Sequence, residues 1–363
     1  MEQDITENYK PADGLKYVLE QRWSNRVQCD QFPQSKKDLI TKYKYTESYL
    51  NEKYHDFVGL GASIAGDGVL TDHGVKHIQT VINRAGKIIG GKEEKLNGYE
   101  IYLLLLAIHF HDLGNISGRE EHEQKIIEVM DKIKTDLPLD DAEQEFVSKI
   151  AMAHGGYVGD NKKNKNTLGT LDYETTCNGI MIRPALLSAI LRFADELADD
   201  YDRIIPNVEI PPENEIFQEY SKSLEPIGFN RKTLLFRYRL PYEVTKRTLK
   251  KLDKNIFLYD EIIERLLKCL RELDYCGRYS DGFITIDTLN VEIQVRNPKN
   301  SRKVLMRDSF KLSLVVYPRE DVQLKDFIIE DYFNTNAEIP KYSSGEELKN
   351  AMLELEKGGI SDV

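Results

Sequence analysis

With 363 residues, 40% hydrophobic and 31% charged, the chain is long enough for one large domain with an appendage, or for two domains. Its formal net charge of −11, from 61 acidic and 50 basic side chains, speaks against a general binder of polyanions, because nucleic-acid affinity rests on neutralising phosphates with Lys and Arg. Cys29, Cys177, Cys269 and Cys276 form no CxxC pair, which excludes a zinc knuckle and reads as reduced thiols, not a disulfide frame.

The polar, acidic start MEQDITENYK is no secretory signal. The longest apolar run, Ile101 to Ile108, falls far short of the roughly 20 residues of a membrane span. These features predict a cytoplasmic protein with no membrane contact and leave homo-oligomerisation open.

Residues 1–56 read as an N-terminal helical extension (LKYVLEQRW, then KDLITKYKYTESYLNEKYHDF). The glycine-rich GLGASIAGDG that follows lacks the GxxxxGK[ST] pattern and reads as a loop. It feeds a helical stretch for which Asp72 is a reasonable N-cap. HIQTVINRAGKII has apolar residues at helical spacing. YEIYLLLLAIHFHDLG is apolar nearly all round, which predicts a buried central helix stopped by Gly114. REEHEQKIIEVMDKI and DAEQEFVSKIAMAH are amphipathic, and after a polar Lys/Asn-rich loop RPALLSAILRFADELADD returns to helix, with Pro184 in its first turn.

Beyond about residue 205 the character changes. TLLFRYRL, LNVEIQV with Leu289, Val291, Ile293 and Val295 in alternation, and FKLSLVVYP read as strands. The segment EVTKRTLKKLDKNIFLYDEIIERLLKCLREL reads as one long helix, and SGEELKNAMLELEKGG as a capped terminal helix. The expected architecture is mainly α, with a helical domain over 57–205 and an α+β domain over 206–363.

Histidine is the most informative residue type. Six of the seven, His73, His77, His109, His111, His122 and His154, fall in the predicted helical domain, and only His55 lies outside this run. Neutral imidazole is the commonest metal ligand. His73 and His77 share a helix face, and His111–Asp112 ends the most buried helix. Asp195 puts a carboxylate on an otherwise apolar face, where coordination to a cation is one of few ways to stabilise it. His109 and His55 read as core residues.

HIQTV, LLAIHFHDLGN and LLSAILRFADEL resemble the ordered H…HD…D signature of HD-domain phosphohydrolases over about residues 60–205. The resemblance implies an HD-domain helical bundle in which His77, His111, Asp112 and Asp195 hold a metal. His122 and His154 sit where two-metal members place extra histidines, which would make Asp112 a bridge. His77 is preferred to His73 because Val81 completes the HxxxV spacing, and Asp195 is preferred to its near rival Asp199. His73 corresponds to an early histidine that acts as an acid or phosphate ligand, so the catalytic candidates are His73 and Asp112. Lys76, Arg119 and Arg192, close in sequence to these ligands, are candidates for substrate phosphate.

Such a ligand set suits one or two divalent transition-metal ions (Mn, Fe, Co, Ni or Zn). The implied function is hydrolysis of a nucleotide phosphoester or phosphoanhydride by metal-activated water. Asn115 stands where the dNTP triphosphohydrolase branch has a second histidine (HDxGH). DHGVKH and FADELADD, with an α+β extension, are closer to bacterial HD proteins that have a conserved C-terminal extension and often occur in defence or stress modules. Two alternatives are an HD-type nuclease, disfavoured by the acidic charge, and a non-catalytic nucleotide sensor or scaffold, disfavoured by the complete ligand set.

Overall fold

A computed structural model describes residues 14–25, 31–34, 38–58, 73–118, 121–159, 163–199, 212–230, 232–251, 253–300, 302–314 and 340–357. GLGASIAGDG, Asp72, Cys29 and Arg119 lie outside the described residues. The chain divides into two units, Met1–Ala198 with Cys276–Ile284 and Asp199–Tyr275 with Thr285–Val363.

The first unit is helical: α1 (Gly14–Ser24), α2 (Leu39–Leu50), α3 (Val75–Ile89), α4 (Gly98–Phe110), α5 (His122–Ile133), α6 (Asp141–Met152) and α7 (Pro184–Glu196). Every residue of α4 is buried, as its nearly unbroken apolar sequence demands, and α1, α2, α3, α6 and α7 all pack on it. Its N-terminus is closed by a capping box between Asn97 and Glu100. The buried Glu100 carboxylate also takes two bonds from the Arg183 side chain, which ties the start of α7 to the start of α4.

Two local expectations change. Helix α4 ends at Phe110 rather than at Gly114, and Leu113–Ser117 tightens into a 3₁₀ turn. The loop before α7 contains a short hairpin, β1 (Thr175–Cys177) and β2 (Ile180–Ile182), turned by Asn178 and Gly179, both at positive φ.

The second unit holds a four-stranded sheet in the order β3 (Gly228–Asn230), β4 (Thr233–Pro241), β7 (Thr288–Arg296), β8 (Val304–Ser313). β4 and β7 are parallel and in register from Thr233–Thr288 to Pro241–Arg296, and the outer pairs are antiparallel. Alternation buries Leu234, Phe236, Tyr238 and Leu240 on β4 and Leu289, Val291, Ile293 and Val295 on β7. β8 begins six residues earlier than FKLSLVVYP suggests, because Met306, Asp308, Phe310 and Leu312 continue the buried line.

The long helix expected between β4 and β7 is interrupted. After a short α9 (Tyr242–Thr245), the chain forms a hairpin of β5 (Leu249–Lys251) and β6 (Lys254–Ile256), and only then α10 (Leu258–Tyr279). The hairpin buries Leu249, and Lys251 pairs with Glu261 and Glu264 of α10, contacts that a continuous helix would not make. α8 (Glu215–Ser223) precedes the sheet and α11 (Gly345–Lys357) follows it. The chain entering α11 is held by Asp308, which accepts the Lys341 N–H at 3.0 Å and the Tyr259 hydroxyl at 3.3 Å. The architecture is thus mainly α, with an appended α+β region. Among the described residues no helix is long and apolar enough to cross a membrane.

Leu104, fully buried in α4, reports on this core. Leu104→Ala is expected to lower unfolding free energy by about 2–5 kcal/mol, measured by urea denaturation.

Candidate metal centre

Five chain segments of the first unit deliver side chains to one place. His73 precedes α3 and His77 lies in its first turn; His111 and Asp112 follow the last residue of α4; His122 opens α5; His154 comes just after α6; Asp195 lies in the last turn of α7. Helix ends supply this geometry because the backbone there can turn and aim neighbouring side chains together. The end of α4 is the clearest case, since the turn after Phe110 lets consecutive His111 and Asp112 face the same cluster.

Asp112 stands at the centre. Its Oδ2 lies 2.8 Å from His73 Nδ1 and 3.4 Å from both His77 Nε2 and His111 Nε2. Asp195 Oδ1 is 3.2 Å from His77 Nε2 and 3.6 Å from His111 Nε2. The other oxygen, Asp112 Oδ1, is 3.4 Å from His122 Nε2 and 4.0 Å from His154 Nε2. Two groups that can hold a metal ion therefore share one carboxylate: His77, His111, Asp112 and Asp195, and Asp112, His122 and His154.

The donor chemistry fits a divalent cation. His111 Nδ1 lies 2.7 Å from the Ile108 carbonyl and His154 Nδ1 2.6 Å from the Ala151 carbonyl. A carbonyl only accepts, so in each ring Nδ1 carries hydrogen and the neutral form has its lone pair on Nε2, turned to the cluster. His77 Nδ1 is buried without a hydrogen-bond partner among the described residues, which leaves Nε2 as that ring's polar outlet. Bonds of about 2.0–2.1 Å to one cation set neighbouring ligand atoms about 3–3.4 Å apart, close to the separations seen in the first group.

Without a cation the same groups must compensate one another. Burial works against ionising Asp112, but His111 and His73 hold its carboxyl well below the usual range. Asp195 is held low in the same way by His111 and His77. Burial pulls His111 down too, but Asp112 and Asp195 outweigh it and hold the imidazole up at about 10. Burial, then His111, pushes His154 down to about 4.

The remaining candidates are placed differently. Lys76 is exposed on α3, and Arg119 is outside the described residues. Arg192 is buried and donates to Thr167 Oγ1, which itself donates to the carbonyl of Ala153 beside His154. Asp199 pairs with Arg265, so Asp195 is the carboxylate in the cluster. His109 and His55 form a separate buried chain: His55 Nε2 lies 3.4 Å from His109 Nδ1, and His109 Nε2 lies 3.2 Å from the Tyr43 hydroxyl. Burial, then the nearby His111, drives His55 down to about 3.

Two supporting side chains were not singled out from sequence as parts of the site. Asn115 Nδ2 donates to Asp112 Oδ1 at 2.9 Å, and Glu123 Oε2 lies 3.3 Å from His122 Nδ1. The only signal for Asn115 was its departure from HDxGH; an acidic residue in a charged segment gave none for Glu123. Gly114 matters for packing: a Cβ there would lie 1.8 Å from the His122 carbonyl oxygen.

Residues 68–210 match the model of the HD-CE family, and this match together with the His/Asp cluster fits an HD-type domain. No curated protein and no solved structure matches the chain.

Two outcomes are expected. Histidines held below their ordinary 6.5, such as His55 and His154, contribute stability that is present above pH 6.5 and fades as pH falls. His111, held above 6.5, contributes stability that is present below pH 6.5 and fades as pH rises toward 10. Chelator-treated protein is therefore most stable near pH 6.5 in urea titrations, and Asp112→Asn weakens the alkaline decline. Gly114→Ala displaces the start of α5, and a lower thermal midpoint in chelator is the measure.

Proposed function

We propose that the chain is a metal-dependent phosphohydrolase that cleaves a phosphoester or phosphoanhydride of a nucleotide. The observation that carries the reading is Asp112, buried, with one oxygen turned to each of two groups of metal-competent donors. In this reading His77, His111, Asp112 and Asp195 hold one divalent ion, with manganese the first choice, and Asp112, His122 and His154 hold a second. Bound there, such ions acidify water and neutralise charge on phosphoryl oxygens.

The chain's own groups supply the rest. His73, anchored through Nδ1 to Asp112 Oδ2, has Nε2 as its other ring nitrogen and can carry a proton to the leaving oxygen. Lys76, one residue before His77 and exposed, is a cation for an outer phosphate. Arg192 braces Thr167 and through it the segment that carries His154, and Arg119, three residues before His122 in sequence, is a further candidate for phosphate. The nucleotide assignment rests on the resemblance of the HIQTV, HFHDLGN and FADEL segments to HD phosphohydrolases; the family match over the same region supports the HD-type domain.

The test is to incubate manganese-loaded protein with pooled NTPs, dNTPs, cyclic dinucleotides and single-stranded DNA, and to identify the products by mass spectrometry. Release of phosphate or triphosphate is expected, abolished by chelator and reduced to background in His111→Ala. A loss of about 10²–10⁴-fold is expected in His73→Ala. Oligonucleotide products would point to a nuclease, and no metal-dependent product at all would overturn the reading.

A further inference from the structure

Each oxygen of Asp112 already has a different nitrogen beside it. His73 Nδ1 lies 2.8 Å from Oδ2, and Asn115 Nδ2 donates to Oδ1 over 2.9 Å. The Asn115 amide cannot be turned over, because its oxygen would then face an ionised carboxylate. A carboxylate oxygen offers about two lone-pair sites. With one occupied on each, Oδ2 keeps one site toward His77, His111 and Asp195, and Oδ1 keeps one toward His122 and His154.

The surroundings of Asn115 are built for this contact. It is buried, its N–H bonds to the Asp112 carbonyl, and its own carbonyl accepts the Gly118 N–H. Gly114, one residue earlier, lies directly against the His122 backbone. The turn that carries Asn115 is thus seated on the residue whose imidazole shares Asp112 Oδ1 with it. Asn115 Oδ1 is buried with no hydrogen-bond partner among the described residues. A buried polar atom left this way is costly, and the contact that offsets it is the one its nitrogen makes to Asp112.

We propose that Asn115 is the positioning residue that divides Asp112 between two cations. The group Asp112–His122–His154 then depends on it, and the group His77–His111–Asp112–Asp195 does not. This deepens the metal-dependent reading above and rests on it. Without the Asn115 donor the hydrogen bond to His73 is the one that still orients the carboxylate, and a turn about Cβ–Cγ gives both oxygens to the first ion. Oδ1 is then lost to His122 and His154, and the second ion loses its only carboxylate among the described ligands.

Manganese titrated into the chelator-stripped full chain, followed by calorimetry and by electron paramagnetic resonance of coupled manganese pairs, tests this. Wild type is expected to take up two ions with a coupled signal. Asn115→Ala is expected to keep the first ion, with the second weakened by about 10–100-fold and the coupled signal lost. Asn115→Leu, with the same branching and no donor, gives the same readout if Ala does not fold, and retention of the first ion certifies that either variant is folded. Variants that bind both ions like wild type, or lose both equally at an unchanged thermal midpoint in chelator, overturn the division of Asp112. A wild type that binds one ion overturns it too but leaves the hydrolase reading standing; a wild type that binds none overturns both.

Discussion

A carboxylate buried in a low-dielectric interior must be matched by positive charge or by several donors, and Asp112 places that demand on the whole helical unit. It follows α4, a helix with no exposed residue, and is itself buried, so bulk water screens little of its charge. Its neighbour His111 supplies part of the compensation, and the rest comes from other segments. His73 and His77 come from the start of α3, His122 from the start of α5, and His154 from the end of α6. The packing of α3, α6 and α7 on α4 brings these ends together and sets their separations. The core and the candidate centre are one problem, because the apolar helix that stabilises the unit also creates the electrostatic demand at its end.

Much of this was legible in the sequence because it depends on local periodicity and residue type. The apolar Ile101–Ile108 run, the His77 spacing within α3 and the carboxylate on the apolar face of α7 led directly to buried helix ends and to residues that the structure gathers. The strand state of β4 and β7 follows from alternation, while their parallel pairing does not show in the sequence. What escaped notice depends on partners distant in sequence or on turn chemistry. The β1–β2 hairpin is announced only by Asn178-Gly179, a signal overlooked between two stronger helices. The β5–β6 hairpin has helix-forming composition, and its strand state is decided by burial of Leu249 and by ion pairs to α10. Asn115 read as an exception to a pattern, since a hydrogen bond to Asp112 is visible only once the turn geometry is known.

The second unit shows the same physics at smaller scale. Asp308 occupies an inward position on β8, where alternation calls for an apolar side chain. Burial raises its pKa, while the Lys341 N–H and the Tyr259 hydroxyl oppose the rise. Asp260 accepts the Gly345 N–H in a related way, and a Cβ at Gly345 would collide with the Phe257 side chain, 2.2 Å from its Cβ. Polar contacts, not apolar ones alone, set where the last helix begins.

Helix α2 passes into a π-helical turn, Asn51–His55, and this turn directs His55 inward to His109. A π-turn is the local mark of one residue more than an α-helix accommodates. Each residue in a helix advances the side-chain direction by about 100°. Deleting one residue of Asn51–His55 would therefore let the turn relax to α-helical spacing with Tyr43 and His55 still facing His109, so this stretch absorbs the loss of one residue far better than the gain of another.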